Sequence, residues 1–580
     1  MIDTVFLKNM GKAAFAFSFF IFHFSLTHAQ LSGAYTIDPS KAASATNYKT
    51  FTSAIADLDS GKRYDGGTSN GKGISGAVVF NVADGIYTEK LTISFIKGTS
   101  SANTITFQSA NGDSNKVILT NPANDTDGSS INFNSGTVFT LKIDSAQYIT
   151  FKQITINRAT PQNGQVVVLN NTKGISFFNS VLRGGDSTYH GPDDVIMLQY
   201  ANSMLVFRNN SFKFGGSVIA PDSAYDTVSH GFDFENNSLS GFFLSGISLS
   251  FYDSLVISNN LINNNQGIIG IQLTNCDSGF LISRNKIILP TAIEAQVRAL
   301  QVLSCIGSSR HHNMVVNNMV SMVGTYSGSY YETGLYEGTN LYSDFFFNTI
   351  LVNPNPKGPS GSSSAFVSWE SALSNALNNI FINETQGFST TAIASDSICS
   401  FDYNDIYSNG PYIGCYYDST FNTTNVKTLA DWKASYHYDL HSIAVVPDFL
   451  SPTDLYATND SLSGKGIAIK GITTDIDNKT RPNPPAIGAN EIIKKSGIAP
   501  IAQNTDITLY PNPTANTLNI RSGSPIMSIT IFDMTGKDVY SLTGMHAQNP
   551  FISLSRLPAG IYMIKLGLEN GTYATKFVKD

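Results

Sequence analysis

Short runs of alternating hydrophobic and polar residues fill the middle of the chain, from about residue 135 to about residue 410. Segments such as VVVLNNTKGISFFNSVL and GIQLTNCDSGFLISRNKI each contain an apolar run, a polar turn and a second apolar run. Alternation with a period of two residues predicts β-strands. Because no helical period intervenes between these strands, the middle of the chain is predicted to be all-β.

One polar position recurs in the same register, just before the last apolar run of each segment. Its members are Ser180, Asn210, Asn237, Asn260, Asn285, Asn318, Asn348 and Asn379. They recur on average about every 28 residues, which is within the range of solenoid repeats. Asn tolerates left-handed turns, and its amide can bond to copies above and below it. We therefore predict a ladder of stacked Asn side chains.

Strand-rich repeats of this kind stack best as a parallel β-helix, in which each coil lays its strands on those of the previous coil. The chain resembles the right-handed parallel β-helix proteins of the pectin-lyase-like superfamily over roughly residues 75–490, in pattern more than in fixed motifs. The predicted fold class is all-β, a right-handed parallel β-helix with an N-terminal helical cap, followed by a small C-terminal β-sandwich.

Both ends of the predicted β-helix carry sequences suited to covering an open edge. At the front, Tyr48, Phe51, Ile55 and Leu58 fall on one helical face, which predicts an amphipathic cap. The back resembles the closing segment of secreted bacterial β-helix proteins at Asp475, Asp477, Arg481, Gly488 and Glu491. We interpret these charges as structural pairs. A calcium site at Asp475 and Asp477 is the alternative; no other cofactor is predicted.

The N-terminus has the pattern of a secretory signal peptide. Lys8 and Lys12 precede an apolar run at 13–26, and small residues follow at 27–29. A membrane anchor is the alternative, but the run is shorter than the roughly 20 residues that a span needs. The predicted organisation is a signal peptide at 1–29, the β-helix domain at 30–495, a linker at 496–505 and a C-terminal domain at 506–580.

The C-terminal domain contains short alternating strands, which predict a small β-sandwich. Its motif residues are Tyr510, Pro511, Asn512, Pro513, Gly536, Gly560 and Tyr562. These blocks resemble the type A sorting domain of the type IX secretion system of Bacteroidota. The resemblance implies passage through the periplasm and across the outer membrane, followed by release or attachment to the cell surface. An ordinary β-sandwich binding module is the alternative.

Charge and cysteine content narrow the function classes. A net charge of -7 with 14% charged residues gives no electrostatic reason to expect nucleic acid or an anionic membrane as partner.

Cys276 and Cys305 align residue for residue, so we expect them one coil apart, at about 4.8 Å. A disulfide and two reduced thiols are both compatible with that spacing. Cys399 and Cys415 are a second candidate pair.

The stretch GPDDVIMLQY and the loop before it hold the densest mixture of ionisable side chains. If the protein is an enzyme, the catalytic candidates are Arg183, Asp186, His190, Asp193 and Asp194. The Asp pair is similar to a block of the polygalacturonase family, but Lys173 stands where that family has its upstream acid. Repeat alignment also places Gln165, not Lys173, beside Asp194. Both points argue against a polygalacturonase-like hydrolase.

Two further groups of side chains have alternative interpretations. Asp253 and Asp277 lie at equivalent repeat positions, where we expect them to cap turns rather than to bind calcium. Five tyrosines cluster near a longer loop. They are Tyr326, Tyr330, Tyr331, Tyr336 and Tyr342. Exposed aromatic faces can pack against sugar rings, which makes these residues candidate substrate-binding positions, and packing of the loop onto the coils is the alternative.

The sequence therefore favours an exported cell-surface or secreted β-helix protein that binds or scaffolds extracellular polysaccharide, because a solenoid offers a long repetitive flank. The resemblance implies a polysaccharide lyase or glycoside hydrolase as the first alternative. A structural or adhesive surface protein without a sugar ligand is the second. The expected partner is the type IX secretion machinery, and no transmembrane segment is predicted in the mature chain.

Overall fold

The computed structural model describes residues 30–122, 138–158, 164–185, 194–221, 227–289, 296–324, 332–354, 363–385, 390–394, 398–420, 422–492, 507–568 and 571–580. The chain divides into two compact units, Met1–Ile492 and Ile493–Asp580. The predicted signal peptide lies outside the described residues.

The first unit is a right-handed parallel β-helix, which confirms the predicted fold class. In each coil the chain visits three long sheets in turn, and each strand pairs in parallel with its counterpart one coil away. We name them sheet 1, sheet 2 and sheet 3 in the order of the visits. The hand is the one that a twisted parallel sheet favours for its connections.

The described strands of the three sheets stack as follows. Sheet 1 contains Asn47–Tyr48, Leu31–Ile37, Ile74–Val82, Ile105–Ser109, Ile149–Lys152, Ser176–Phe178, Ser203–Arg208, Ser229–Glu235, Tyr252–Ser258, Leu281–Ser283, Asn313–Val316, Ser343–Phe346, Ala372–Leu377 and Ile398–Asp402. Sheet 2 contains Gly85–Thr88, Val117–Thr120, Thr155–Asn157, Val181–Arg183, Ser211–Lys213, Ser238–Ser240, Leu261–Asn263, Lys286–Leu289, Met319–Gly324, Thr349–Pro354, Ile380–Asn383 and Asp405–Ser408. Sheet 3 contains Leu91–Ile93, Phe139–Asp144, Gln165–Asn170, Ile196–Gln199, Ser217–Pro221, Ser245–Ser250, Ile269–Thr274, Val297–Leu303, Glu332–Gly338, Ser364–Trp369, Thr391–Ala394, Gly414–Tyr417 and, antiparallel at its end, Thr423–Val426.

The Asn ladder is confirmed at the corner between sheet 1 and sheet 2. Asn285 is fully buried, and its Oδ1 accepts from the backbone N–H and the side-chain NH₂ of Asn260 at 3.0 and 2.9 Å. Its own NH₂ donates to the Ile257 carbonyl and to the next ladder residue, Asn318. The same pattern continues to Asn404, one coil beyond the predicted register. Each amide thus forms hydrogen bonds with buried backbone N–H and C=O groups at the corner, which would otherwise be unpaired.

Aromatic side chains fill the core of the first coils. Phe80, Phe107, Phe151, Phe177 and Phe207 form a continuous stack with ring centroids 4.9 to 5.5 Å apart. All five rings are fully buried. The stack arises because strands in sheet 1 pair in register, so identical residues meet at the spacing of the coils.

The helix Phe51–Ser60 covers the front of the β-helix, as predicted. It begins at the N-cap Thr50 and buries Phe51, Ile55 and Leu58, and Tyr48 beside it is fully buried. A second helix, Leu429–Tyr436, covers the other end. It buries Trp432, whose Nε1 donates to Asp439 at 3.1 Å. The sequence analysis did not predict this second cap.

The closing segment, residues 464–491, lies against the outside of the last coils. It follows the hairpin Phe449–Ser451 and Asp454–Ala457 and the short 3₁₀ helix Asp460–Leu462. Arg481 and Glu491 form a buried ion pair at 2.5 Å, and Asp475 accepts the backbone N–H groups of Asp477 and Lys479. These contacts confirm the predicted structural pairing, and the calcium alternative stays a prediction.

The second unit consists of two antiparallel sheets that share one apolar core. One sheet contains Thr508–Tyr510, Thr517–Arg521 and Phe551–Ser553. The other contains Asp538–Ala547, Ile526–Phe532, Gly560–Leu568 and Gly571–Lys579. The core joins Leu518 and Ile552 of the first sheet with Ile529 and Ile564 of the second. This arrangement agrees with the predicted small β-sandwich.

Cys276 and Cys305 lie one coil apart, as the alignment predicts. Both thiols are free and fully buried, and the backbone N–H of Cys276 donates to Cys305 Sγ at 3.3 Å. Cys305 is followed in the same corner by Asn340, whose Oδ1 accepts from the Cys305 N–H at 2.9 Å. The two thiols therefore act as members of a second internal ladder, at the corner between sheet 3 and sheet 1.

Candidate functional site

The outer face of sheet 3 is the surface next to the longest connections of the repeat. Chain segments enter sheet 3 from sheet 2 between Leu289 and Val297, between Gly324 and Glu332, and between Pro354 and Ser364. By contrast, the corner from sheet 1 to sheet 2 takes two residues in these coils, as between Ser283 and Lys286. Insertions on one side of a solenoid commonly mark its binding face.

Polar and aromatic side chains follow one another on this outer face. Gln272, Gln301 and Tyr336 pair in register on three successive strands. Their strand neighbours Leu300 and Leu335 are fully buried in the core, so the intervening side chains face outwards. The Gln272 amide and the Tyr336 phenol are half-buried on this face, whereas Gln301 on the strand between them is 5% exposed.

Arg298 holds the Tyr336 ring in place. Its guanidinium carbon lies 4.1 Å from the ring centroid, within the range of a cation–π contact. Burial raises the pKa of the Tyr336 hydroxyl, with the Arg298 charge opposing the shift. The phenol consequently remains a neutral hydrogen-bonding group through the physiological pH range.

A second aromatic pair lies on the same sheet, two residues further along the strands than Tyr336. Trp369 and Tyr417 are half-buried, and their ring centroids are 5.2 Å apart in an edge-to-face arrangement. Both residues end strands of sheet 3. We use the name sheet-3 face for the outer surface formed by Gln272, Arg298, Gln301, Tyr336, Trp369 and Tyr417.

The predicted tyrosine cluster is only partly within this face. Tyr336 belongs to it, whereas Tyr342 precedes the sheet-1 strand Ser343–Phe346 and contacts His312, with ring centroids 5.3 Å apart. Tyr326, Tyr330 and Tyr331 lie outside the described residues. Tyr336 lies on a sheet-3 strand, whereas Tyr342 lies in the corner that leads to sheet 1, although the two are close in sequence.

The predicted catalytic set is also divided between sheets. Arg183 ends a sheet-2 strand, is exposed, and has its guanidinium carbon 4.9 Å from the Phe214 ring centroid. Asp194 precedes a sheet-3 strand and is 8% exposed. Its Oδ1 accepts the backbone N–H of Ser217 in the next coil at 3.2 Å. Asp186, His190 and Asp193 lie outside the described residues. Leu169 pairs with Leu198, as the alignment predicted.

We expect Asp194→Ala to loosen the junction between its coil and the next. The variant leaves the buried Ser217 N–H without this acceptor, at a cost of about 1–3 kcal/mol. Hydrogen exchange at Ser217, measured by mass spectrometry on short peptides, should accelerate by about tenfold to a hundredfold. Asp194→Asn keeps an acceptor oxygen and is the matched control. Equal exchange in the alanine variant and the wild type would contradict a structural role.

Three His–Asp pairs on the outside of sheet 1 were missed by the sequence analysis. Nδ1 of the histidine lies 2.7 Å from a carboxylate oxygen in each of them. The pairs are His230 with Asp253, His312 with Asp344, and His441 with Asp402. Partners come from adjacent coils whose separation in sequence varies, so only the strand register reveals them. Asp277 Oδ1 accepts the Ile306 N–H of the next coil, in agreement with the predicted capping. Asp253 forms a β-bridge with Asp277, but its carboxylate pairs with His230, and its predicted capping role stays a prediction.

Motif residues of the second unit hold its C-terminal strand and turns together. Asn512 Oδ1 accepts the Val578 N–H at 2.9 Å. The Tyr562 hydroxyl donates to the Pro558 carbonyl at 2.9 Å, and its ring stacks on Phe577 at 5.7 Å. Gly536 has a φ of 83°, a left-handed conformation that suits glycine in the turn that Asp533 caps.

Residues 508–580 match the family described as the secretion system C-terminal sorting domain. This tail is a sorting domain. The sorting domain indicates export by the type IX secretion system, so the protein is secreted or located at the cell surface. Handling by the secretion machinery follows from the same match.

Several solved structures are similar to this chain at low identity. A pectin methylesterase from Aspergillus niger is 12% identical, with 64% of this chain and 89% of that chain covered and a TM-score of 0.23. A mutant DFA-IIIase from Arthrobacter chlorophenolicus A6, in complex with DFA-III, is 12% identical, with coverage of 75% and 97% and a TM-score of 0.29. The Dettilon tailspike protein is 11% identical, with coverage of 55% and 60% and a TM-score of 0.25.

No curated protein matches the chain. In the part of the chain that the structure describes, no helix has the length and apolar character needed to cross a membrane. The same residues contain no group of three or more His, Cys, Asp and Glu side chains arranged to hold a metal ion.

Proposed function

We propose that this exported β-helix binds or scaffolds extracellular polysaccharide through the sheet-3 face. The observation that carries the proposal is the half-buried pair of Gln272 and Tyr336, two coils apart, with Arg298 against the tyrosine ring. Amides and a guanidinium donate hydrogen bonds to sugar hydroxyls or carboxylates, while aromatic faces pack against the apolar side of a pyranose ring.

The geometry of a solenoid suits a long ligand. Coils recur about every 4.8 Å along the stack, so Gln272 and Tyr336, two coils apart, present an amide and a phenol about 10 Å from each other. Trp369 and Tyr417 extend the aromatic surface into the following coils. A polymer aligned with the β-helix axis would contact all of these coils at once. Several weak contacts then act together, which raises affinity without a deep pocket.

We expect Tyr336→Ala and Trp369→Ala each to weaken retention on the recognised polysaccharide by at least about fivefold, the usual cost of losing an aromatic anchor. The full chain is to be tested by affinity electrophoresis against a panel of neutral and acidic polysaccharides. Tyr64→Ala removes an exposed tyrosine far from sheet 3 in sequence and is the matched control. Retention that is absent for every polysaccharide, or unchanged in both sheet-3 variants, would contradict the proposal.

The same incubations separate binding from catalysis. New reducing ends or unsaturated products, lost on replacement of a sheet-3 residue, would replace the proposal with a polysaccharide lyase or glycoside hydrolase. Cell attachment that depends on the protein without any polysaccharide retention would instead favour an adhesive surface protein. Neither result is expected if the sheet-3 face acts only by binding.

A further inference from the structure

A column of left-handed residues runs along the outside of the corner between sheet 1 and sheet 2. Each of its members immediately precedes a residue of the internal ladder and has a φ between 50° and 62°. The described column is Asn179, Asn209, Asn236, Asn259, Arg284, Asn317, Phe347, Asn378 and Tyr403. Asn is frequent there because its side chain tolerates this conformation. The turn does not use the side-chain amides of the Asn members, which are therefore available for other partners.

In the last coils, this column binds the backbone of the closing segment. Asn378 donates from Nδ2 to the Ile467 carbonyl and accepts the Ile467 N–H at Oδ1, both at 2.8 Å. Asn317 donates from Nδ2 to the Thr474 carbonyl at 3.0 Å. The side-chain amide thus pairs with a main-chain amide, as a neighbouring strand would. Between these two contacts the closing segment makes a turn, in which the Ile472 N–H donates to the Ile469 carbonyl at 3.1 Å. The contacts use main-chain groups of the segment and are therefore largely independent of its side chains.

Arg284 marks the point where the closing segment turns back. Its Nη2 donates to Thr474 Oγ1 at 2.9 Å and its Nε donates to the Asp475 carbonyl at 3.3 Å. From Asp475 the segment returns towards Arg481, which contacts Phe347 and Asn317 of the same column. Residues of the closing segment therefore occupy the column from Asn378 as far as Arg284.

The column continues beyond Arg284 as an open groove. Asn179, Asn209, Asn236 and Asn259 are exposed and border a shallow, open depression of about 490 Å³. Its floor consists of small or apolar residues of sheet 2, including Ser211, Ser238 and Leu261. Asn259 lies one coil from Arg284, since the ladder residues that follow them bond to each other. The open groove is thus the direct extension of a surface that already holds polypeptide backbone.

We propose that this groove binds the main chain of a segment of another protein through the amides of Asn209, Asn236 and Asn259. A fully extended segment rises about 3.3 Å per residue, so amides two coils apart, about 9.6 Å, meet ligand residues three positions apart. Hydrogen bonds from the three side-chain amides to the main chain of the bound segment supply the affinity. The groove lies at the corner between sheet 1 and sheet 2, whereas the proposed polysaccharide-binding surface is the outer face of sheet 3. The two proposals therefore concern separate surfaces.

The test uses a phage-displayed library of 12-residue peptides selected on the immobilised full chain. A triple variant carrying Asn209→Gly, Asn236→Gly and Asn259→Gly removes the three amides while glycine retains the left-handed turns without strain. Asn171→Gly, at an exposed left-handed position on the corner between sheets 3 and 1, is the matched control. We expect selected peptides to bind the wild type and the control alike and to lose at least tenfold in affinity for the triple variant.

Three outcomes would overturn the proposal. One is a selection without enriched peptides, and another is a set of peptides that bind the triple variant as tightly as the wild type. The third is loss of polysaccharide retention in the triple variant, which would assign the groove to a glycan. An unchanged melting temperature of the triple variant confirms that the fold is intact, so any loss of peptide binding is local. If the wild-type protein binds peptides but no polysaccharide, only the proposed polysaccharide function is contradicted.

Discussion

Arg481→Ala is expected to detach the closing segment from the last coils. The Arg481 side chain is 2% exposed and pairs with Glu491, and it also donates to Asn317 and to the carbonyls of Gly488 and Ala489. Its removal leaves the buried Glu491 carboxylate without its cation, which typically costs about 3–5 kcal/mol. Hydrogen-exchange protection over residues 474–491 should therefore fall by about two to three orders of magnitude.

Lys479→Ala provides the matched control for that experiment. Lys479 pairs with Asp477 at 3.1 Å in the same segment, but its side chain is 51% exposed. Exposed ion pairs contribute about 0–1 kcal/mol, so protection in this variant should stay close to that of the wild type. Equal protection in Arg481→Ala and Lys479→Ala would show that the buried pair does not hold the segment. Loss of protection across all coils in Arg481→Ala would show instead that the segment is part of one cooperative unit.

The fold was predictable because every repeat carries the same local information. A ladder residue such as Asn285 is recognisable from its own neighbours, Ile282 and Ile287, without knowledge of any other coil. Both apolar neighbours are fully buried, as the alternation requires. Stacking then follows from repetition, because identical coils bury each other's exposed edges. The front cap is equally local, since one helical turn brings Phe51 and Ile55 together.

The candidate site was less predictable because its contacts cross coils. Tyr336 meets Arg298 of the preceding coil, and Trp369 meets Tyr417 two strands further on. The sequence separation between such partners depends on insertion lengths, which vary from coil to coil. Tyr342, by contrast, looked like a neighbour of Tyr336 but lies in the corner that leads to sheet 1. Assigning side chains to faces needs the strand register, which the repeat pattern determines only approximately.

Buried carboxyl groups are a further feature that composition did not reveal. Asp405 begins the last strand of sheet 2 and is fully buried. Its Oδ1 accepts the Val445 N–H at 2.9 Å, while Oδ2 has no hydrogen-bond partner among the described residues. Burial raises the pKa of this carboxyl to about 8. Near neutral pH the folded protein therefore keeps a proton that the unfolded chain has released.

This proton makes stability fall as pH rises. Below the unfolded pKa of about 4, both states are protonated and the contribution of Asp405 is fully favourable. Between about pH 4 and pH 8 the folded state binds more protons than the unfolded state, so the free energy of unfolding decreases with pH. Full ionisation would cost on the order of 5 kcal/mol, given about 1.36 kcal/mol per pKa unit.

Asp405→Asn should abolish this part of the pH dependence. Asn keeps the acceptor for the Val445 N–H and cannot ionise, so the variant should melt at a higher temperature than the wild type at pH 9 and close to it at pH 4. Calorimetry of both proteins at these pH values and at pH 6.5 measures the effect. Glu332 and Glu337, whose pKa values burial raises to about 7, contribute to the slope of both proteins, so the difference between the two curves isolates Asp405. Asp59→Asn, at an exposed position of the front helix, is the control. Parallel curves for Asp405→Asn and the wild type would show that Asp405 is ionised in the folded protein.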